Sequence, residues 1–299
     1  MAINYFYPIG FGPSANCKLG IPGCTLDISV FQYLPNVPAN ATFLAVFAVL
    51  MVAHIAQGIR YKAWTYMGCV AAGCALELVG YVGRILLHDN PFDFNAFLIN
   101  LVPITVAPVF FCAAIYVQLT KFITHTDHSV SRLNPRIIAY VFIPCDIISL
   151  GLQGTGGALS AGAETEDGTK VGVDVSKAGL IFQVVTLVLF IGLSSDFLWA
   201  LQRTHRHDDQ RVTRPLKVMI VWLAAATILI LVRCIFRIYE LKDGYFASAF
   251  RDEGTFIAFE SVFMIIAVAC LNVGHPGRAF LDTSKPGETG RPLDALAEK

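Results

Sequence analysis

The sequence predicts an all-α, polytopic membrane protein with seven transmembrane helices, its N-terminus outside and its C-terminus in the cytosol. Three observations carry this. Charged residues make up 15% of the chain against 55% hydrophobic, where soluble domains carry about 25% charge. Mean hydropathy is +0.60 over 299 residues, close to the length of about 250–300 residues at which a single soluble core stops growing. Seven stretches are long and apolar enough, at about 20 residues each, to cross a hydrocarbon core as helices.

The stretches follow one another with short connections. Residues 1–36 form an outer segment; its start, "MAINYFYPIG", has neither a basic region nor a long apolar core and does not read as a cleavable signal peptide. Cys17 and Cys24 in this segment are placed for a disulfide, which an oxidising exterior favours; two unpaired thiols are the alternative. The membrane domain covers 37–275, with spans at 37–57, 63–87, 95–121, 137–159, 178–200, 216–240 and 253–275. Asn40 opens a glycosylation sequon but abuts the first span, where the bilayer would hide it. Pro103 and Pro108 are expected to interrupt the third span and Pro144 the fourth. Gly151, Gly154, Gly156 and Gly157 are expected to loosen or break the outer end of the fourth. Residues 160–176 read as a flexible outer loop and 276–299 as a disordered cytosolic tail. The remaining cysteines lie inside spans and read as small packing residues.

Lysine and arginine fix the orientation. The connections after spans 1, 3 and 5 carry Arg60 and Lys62; Lys121, Arg132 and Arg136; and Arg203, Arg206, Arg211, Arg214 and Lys217, and the tail adds four more. The other side has Lys18, then none, then Lys170 and Lys177 among acids, then Lys242 and Arg251. The richer side belongs in the cytosol. Net charge is zero, so nothing in the total points to nucleic acid.

Function is sought among ionisable groups inside the spans, each costing about 2.5–3.5 kcal/mol on insertion scales. Span 2 has Glu77 and Arg84, span 4 Asp146, span 6 Arg233, Arg237 and Glu240, and span 7 Glu260. Helical spacing puts Glu77 and Arg84 on one face, Arg233, Arg237 and Glu240 on another, and Asp146, Ser149 and Gln153 on a third. With spans 2, 4 and 6 running outward and span 7 inward, these groups fall in the outer half of the membrane, Asp146 nearer its middle. They predict an amphiphile-binding cavity with a charged floor, open to the outer leaflet. The alternative is a paired network that only sets helix register.

"ELVGYVGR" (77–84), "APVFFCAAIYVQL" (107–119), "CDIISLGLQGTGG" (145–157), "RCIFRIYE" (233–240) and "HPG" (275–277), in this order, resemble the fungal resistance-to-aminocholesterol (RTA-like) family, also called lipid-translocating exporters. The resemblance implies a seven-span fungal membrane protein that moves, or confers resistance to, membrane-active lipids such as sphingoid long-chain bases, with stress resistance at the plasma membrane or other endomembranes. It implies functional roles for Glu77, Tyr81, Arg84, Tyr116, Asp146, Gln153, Arg233, Arg237, Glu240 and Glu253. At position 260 the family pattern leads to an aspartate after an aromatic; this chain has Phe259-Glu260, one methylene longer.

Three functions are weighed. A translocator of amphiphilic lipids would set a cationic headgroup on Glu77, Asp146 and Glu260 and a chain among the apolar side chains. It needs no cofactor, and no ATP-binding motif is present. A seven-span receptor or sensor for a lipid-like ligand shares the topology but lacks Asp-Arg-Tyr after span 3 and Asn-Pro-x-x-Tyr in span 7. An intramembrane metal-dependent hydrolase would need histidines near the acids; His54 and His275 lie toward the other side, so the chain is not read as an enzyme. Oligomeric state stays open.

Overall fold

Each apolar stretch forms a helix, because backbone groups in a bilayer must be satisfied within the segment itself. A computed structural model describes residues 17–18, 21–126, 135–163, 165–204, 214–242, 244 and 251–277. The tail beyond 277 lies outside the described residues, as does most of the first twenty. Seven helices long and apolar enough to cross a membrane follow in order: α1 (Val37–Tyr61), α2 (Trp64–Asp89), α3 (Phe94–Thr126), α4 (Pro135–Gly162), α5 (Glu166–Thr204), α6 (Arg214–Glu240) and α7 (Glu253–Val273). No strand occurs among the described residues.

Local chemistry sets the ends. The Asn36 side chain accepts from the Ala39 amide at 3.0 Å and caps α1, with proline in the first turn where a missing N–H costs nothing. Lys62, in the left-handed region at φ 55°, ends it. Asp93 accepts from the amides of Asn95 and Ala96 and starts α3. Asp252 caps α7 through the Gly254 amide and the Thr255 hydroxyl; mainly the hydroxyl holds its carboxyl below the usual range. One turn inside α7 the helix widens to a π turn, Ile257–Val262, and the amide of Phe263 donates to Ala258, five residues back. Such turns are rare and cluster at functional sites.

Consecutive helices pack side by side, α7 touches α1 as well as α6, and α3 meets α6 across the bundle. Polarity is inside-out. Val49, Val52, Ile148, Val188, Val221 and Ile235 project outward, while Glu77, Arg84, Asp146, Arg233 and Glu260 are buried. Small residues permit the closest approaches. A Cβ at Gly83 of α2 would sit 2.5 Å from the Asn100 amide nitrogen of α3, and one at Gly179 of α5 would sit 2.8 Å from the Ser149 carbonyl oxygen of α4. One end of the bundle is covered by residues 21–36, including a 3-10 turn at Leu26–Ile28 and the buried side chains of Val30 and Phe31. Cys17 and Cys24 ahead of it are disulfide-bonded. At the opposite end His54, Tyr66 and Gln118 hydrogen-bond the backbone carbonyls of Val268, Leu271 and Gly274 and pin the end of α7. Asn40 is buried in the first turn of α1.

Three expectations are corrected. The prolines do not interrupt their helices: α3 runs unbroken through Pro103 and Pro108, and α4 through Pro144. At Pro108 a neighbouring helix supplies what the proline removes, the Ile104 carbonyl accepting from Arg233 of α6. Nor do the glycines break α4, and residues 160–176 are not a loop. The helix continues to Gly162, and α5 starts at Glu166. Glycines and serines there form a tight helical pair in which Ser149 donates to the Gly179 carbonyl at 2.8 Å and Ser176 to the Gln153 carbonyl at 3.1 Å.

Candidate functional site

The charged residues of α2, α6 and α7 meet inside the covered end of the bundle. Glu260 is fully enclosed and its carboxylate lies 2.7 Å from Arg233 and 3.5 Å from Arg237. Arg237 also pairs with Glu240, one turn further along α6. The i, i+3 and i, i+4 spacing on α6 thus does what a helix surface allows: three side chains reach one partner zone. The π turn of α7 carries Glu260 itself.

Arg233 has a second anchor. Its guanidinium donates to the carbonyl of Ile104 at 2.7 Å. Ile104 lies four residues before Pro108, so the amide that would ordinarily bond this carbonyl does not exist. The proline frees an acceptor in the middle of α3, and the arginine takes it. Arg237 reaches α3 too, toward the Thr105 hydroxyl at 3.4 Å. Sequence reasoning missed Ile104 and Thr105, although a proline in a span is a signal that the carbonyl four residues earlier needs a donor.

Glu77 and Arg84 share a face of α2 but have separate surroundings. Arg84 is clamped between the covering segment and α7: it donates to the Tyr33 hydroxyl at 2.5 Å, and its guanidinium lies 3.7 Å from the centre of the Phe256 ring and 5.1 Å from that of Phe31. Burial pushes the Tyr33 phenol up, with the Arg84 guanidinium pulling back, so Tyr33 offers a neutral acceptor at neutral pH. Glu253 stands 4.0 Å from Arg84 and accepts from the Asn36 amide at 2.8 Å, tying the start of α7 to that of α1. None of Phe31, Tyr33 and Phe256 was legible as a partner, since nothing in the pattern of an outer segment says which arginine it covers. Glu77 sits deeper, fully enclosed, with no hydrogen-bond partner for either oxygen among the described residues. Tyr81 lies between the rings of Phe43 and Phe47, its hydroxyl toward Ser261.

The other candidates stand apart from this network. Tyr116 of α3 donates to Asp146 of α4 at 3.0 Å, beside the rings of Phe142 and Phe190. Gln153 faces α5, donating to Ser149 at 2.9 Å and to Gln183 at 3.0 Å.

Next to the network is an apolar cavity of about 610 Å³ between α3 and the α4–α5 pair, reaching α6. Phe97, Leu101 and Val102 form one wall, Leu150, Gly154 and Ala158 another, and Leu180 and Leu241 close the side. Thr105, Gln153 and Ser176 give it sparse polarity, and Arg237 is its charged lining residue. The size is within the range of about 300–1,000 Å³ typical of small-ligand sites. A lined apolar space ending on a buried ion-pair network can hold a molecule with a long apolar part and a charged end.

Residues 70–283 match the family model described as RTA1 like protein, which is more than half of the chain. This chain belongs to the RTA1-like family. Among relatives of this RTA1-like protein, the sphingoid long-chain base transporter RSB1 of Saccharomyces cerevisiae (strain Lalvin EC1118 / Prise de mousse) is 30% identical, with 83% of this chain and 73% of the relative covered. Protein RTM1 of Saccharomyces cerevisiae is 28% identical over 74% of this chain and 72% of its own. The lipid-translocating exporter-like protein RTA1 of Leptosphaeria maculans is 27% identical, covering 83% of this chain and 51% of that one. No solved structure matches.

Proposed function

We propose that this RTA1-like protein is a transporter that moves amphiphilic lipids, of the sphingoid long-chain-base type, between the two leaflets of the plasma membrane. The observation that carries the reading is the apolar cavity that ends on Arg237, and through Arg237 on Glu240 and Glu260. The chain of the lipid lies against α3 and α4, and the headgroup exchanges with the ion pairs. The names of the relatives, a sphingoid long-chain base transporter and a lipid-translocating exporter-like protein, support the same cargo class. The lysine and arginine distribution supports an orientation with the N-terminus outside, the C-terminus cytosolic, and the covered end and the cavity in the outer half of the membrane. The protein acts as a carrier and not as an enzyme.

The test is a leaflet-crossing assay in liposomes with a fluorescent long-chain base. The wild type accelerates crossing, and Glu260→Gln and Arg237→Ala abolish the acceleration while remaining inserted. Gly154→Phe gives a steric control. A Cβ at Gly154 meets nothing within 4 Å, so the larger side chain fills the cavity without disturbing helix contacts and lowers flux at unchanged thermal stability. Saturable binding without any crossing would turn the reading toward a sensor, and full activity in both charge variants would remove the cavity from it.

A further inference from the structure

Glu77 is the feature that simple pairing leaves over. It is fully enclosed, and neither carboxylate oxygen meets a donor among the described residues. The nearby cations are held elsewhere. Arg233 is shared between Glu260 and the Ile104 carbonyl, Arg237 between Glu240 and Glu260, and Arg84 is clamped under Tyr33 and Phe256. The titratable groups facing Glu77 are Cys74 and Tyr81 on its own helix, Arg233 on α6 and Glu260 on α7. Around this stretch of α2, α1 sets Phe43 and Phe47 on the Tyr81 ring, and α3 sets Ile104 against Gly80 and Phe111 against Gly73. An unpaired carboxylate in such surroundings takes up a proton instead of staying charged.

Resting on the transport reading, we propose that Glu77 is a proton-binding site which exchanges its proton for the guanidinium of Arg233 when a cationic lipid headgroup enters. The relay runs along α6. An ammonium arriving from the cavity at Arg237 takes Glu240. Arg237 then turns fully to Glu260, and Arg233, displaced from Glu260, moves to Glu77. Glu77 ionises and one proton leaves. One cationic headgroup enters the buried network and one proton departs, so the charge of the network is unchanged. No ion has to be left alone in low dielectric at any stage. The result is one-for-one exchange of a lipid ammonium for a proton, a source of drive for a chain without an ATP-binding motif.

Two measurements on the reconstituted full chain test this. The first is infrared difference spectroscopy at neutral pH. A carbonyl-stretch band of a protonated carboxylic acid is expected in the wild type, absent in Glu77→Gln, and diminished in the wild type on adding a long-chain base. Glutamine is close in shape to the protonated acid and is expected to fold; should it not, the loss of the wild-type band on adding base carries the same information. No band assignable to Glu77 overturns the proposal whether or not lipid moves. The second uses a fluorescent long-chain base that does not cross protein-free vesicles. Under a gradient of one pH unit, one-for-one exchange equilibrates at about a tenfold ratio of base across the membrane, and Glu77→Gln loses the response to the gradient. Protein-dependent crossing that ignores the gradient overturns the exchange and leaves transport standing. A wild type that moves no base at all removes the transport reading and the exchange together.

Discussion

Arg233 is held by two bonds of different origin, one to a carboxylate and one to a carbonyl that a proline set free. Removing it leaves the fully enclosed Glu260 with only the longer contact to Arg237 at 3.5 Å, and breaking one side of a buried pair costs about 3–5 kcal/mol. Arg233→Met is therefore expected to lower the thermal unfolding temperature in detergent markedly, with Arg233→Met/Glu260→Met recovering much of the loss. Recovery separates a stranded charge from a lost contact. Pro108→Ala tests the second bond. It gives Ile104 an intrahelical donor, so the variant is expected to be at least as stable as the wild type while its lipid flux falls. An unchanged flux would show that the carbonyl anchor is dispensable. The buried charges were legible in the sequence because a bilayer makes each of them costly, and that cost implies a protein-lined neighbourhood. Which charge meets which was not legible: Glu77 and Arg84 share a face of α2, yet Arg84 turns to Tyr33 and Glu77 has no hydrogen-bond partner among the described residues.

Helix positions were legible to within about five residues except at the start of α5, expected at 178 and found at 166, and that error has the same cause as the break wrongly expected in α4. Glycine, serine and threonine read as loop formers in water, where they favour turns. Between two helices in contact the same residues allow backbones to approach, and their hydroxyls donate to the partner's carbonyls. The sequence of 160–176 cannot distinguish the two situations, because the difference lies in the neighbour. Gly179→Leu tests the packed reading. Its side chain would be forced against the Ser149 carbonyl of α4, and overpacking of this kind costs about 1–3 kcal/mol. The variant is expected to unfold at lower temperature and to lose protection from hydrogen exchange in the halves of α4 and α5 that flank their connection. A loop at this place would accept leucine with no change in either measurement.

At the scale of the whole molecule, apolar side chains face outward and the ion pairs of Arg233 and Arg237 lie within, the reverse of a soluble domain. This was the most legible level, since hydropathy and length report the solvent directly. The positive-inside distribution adds an orientation, with the prediction that an N-terminal epitope on intact cells is cut by added protease and a C-terminal one is spared. The reverse pattern would move the cavity to the cytosolic leaflet and invert the direction of loading. The π turn at Ile257–Val262 has a consequence at this scale as well. A widened turn holds one surplus residue, and a surplus can migrate along a helix at the expense of only a few hydrogen bonds. Passing it on would swing Glu260 around the axis of α7 and away from α6 while the far end, gripped by His54, Tyr66 and Gln118, stays still. Such a migration would give the bundle a small rotary step at its charged centre with no helix having to tilt or slide.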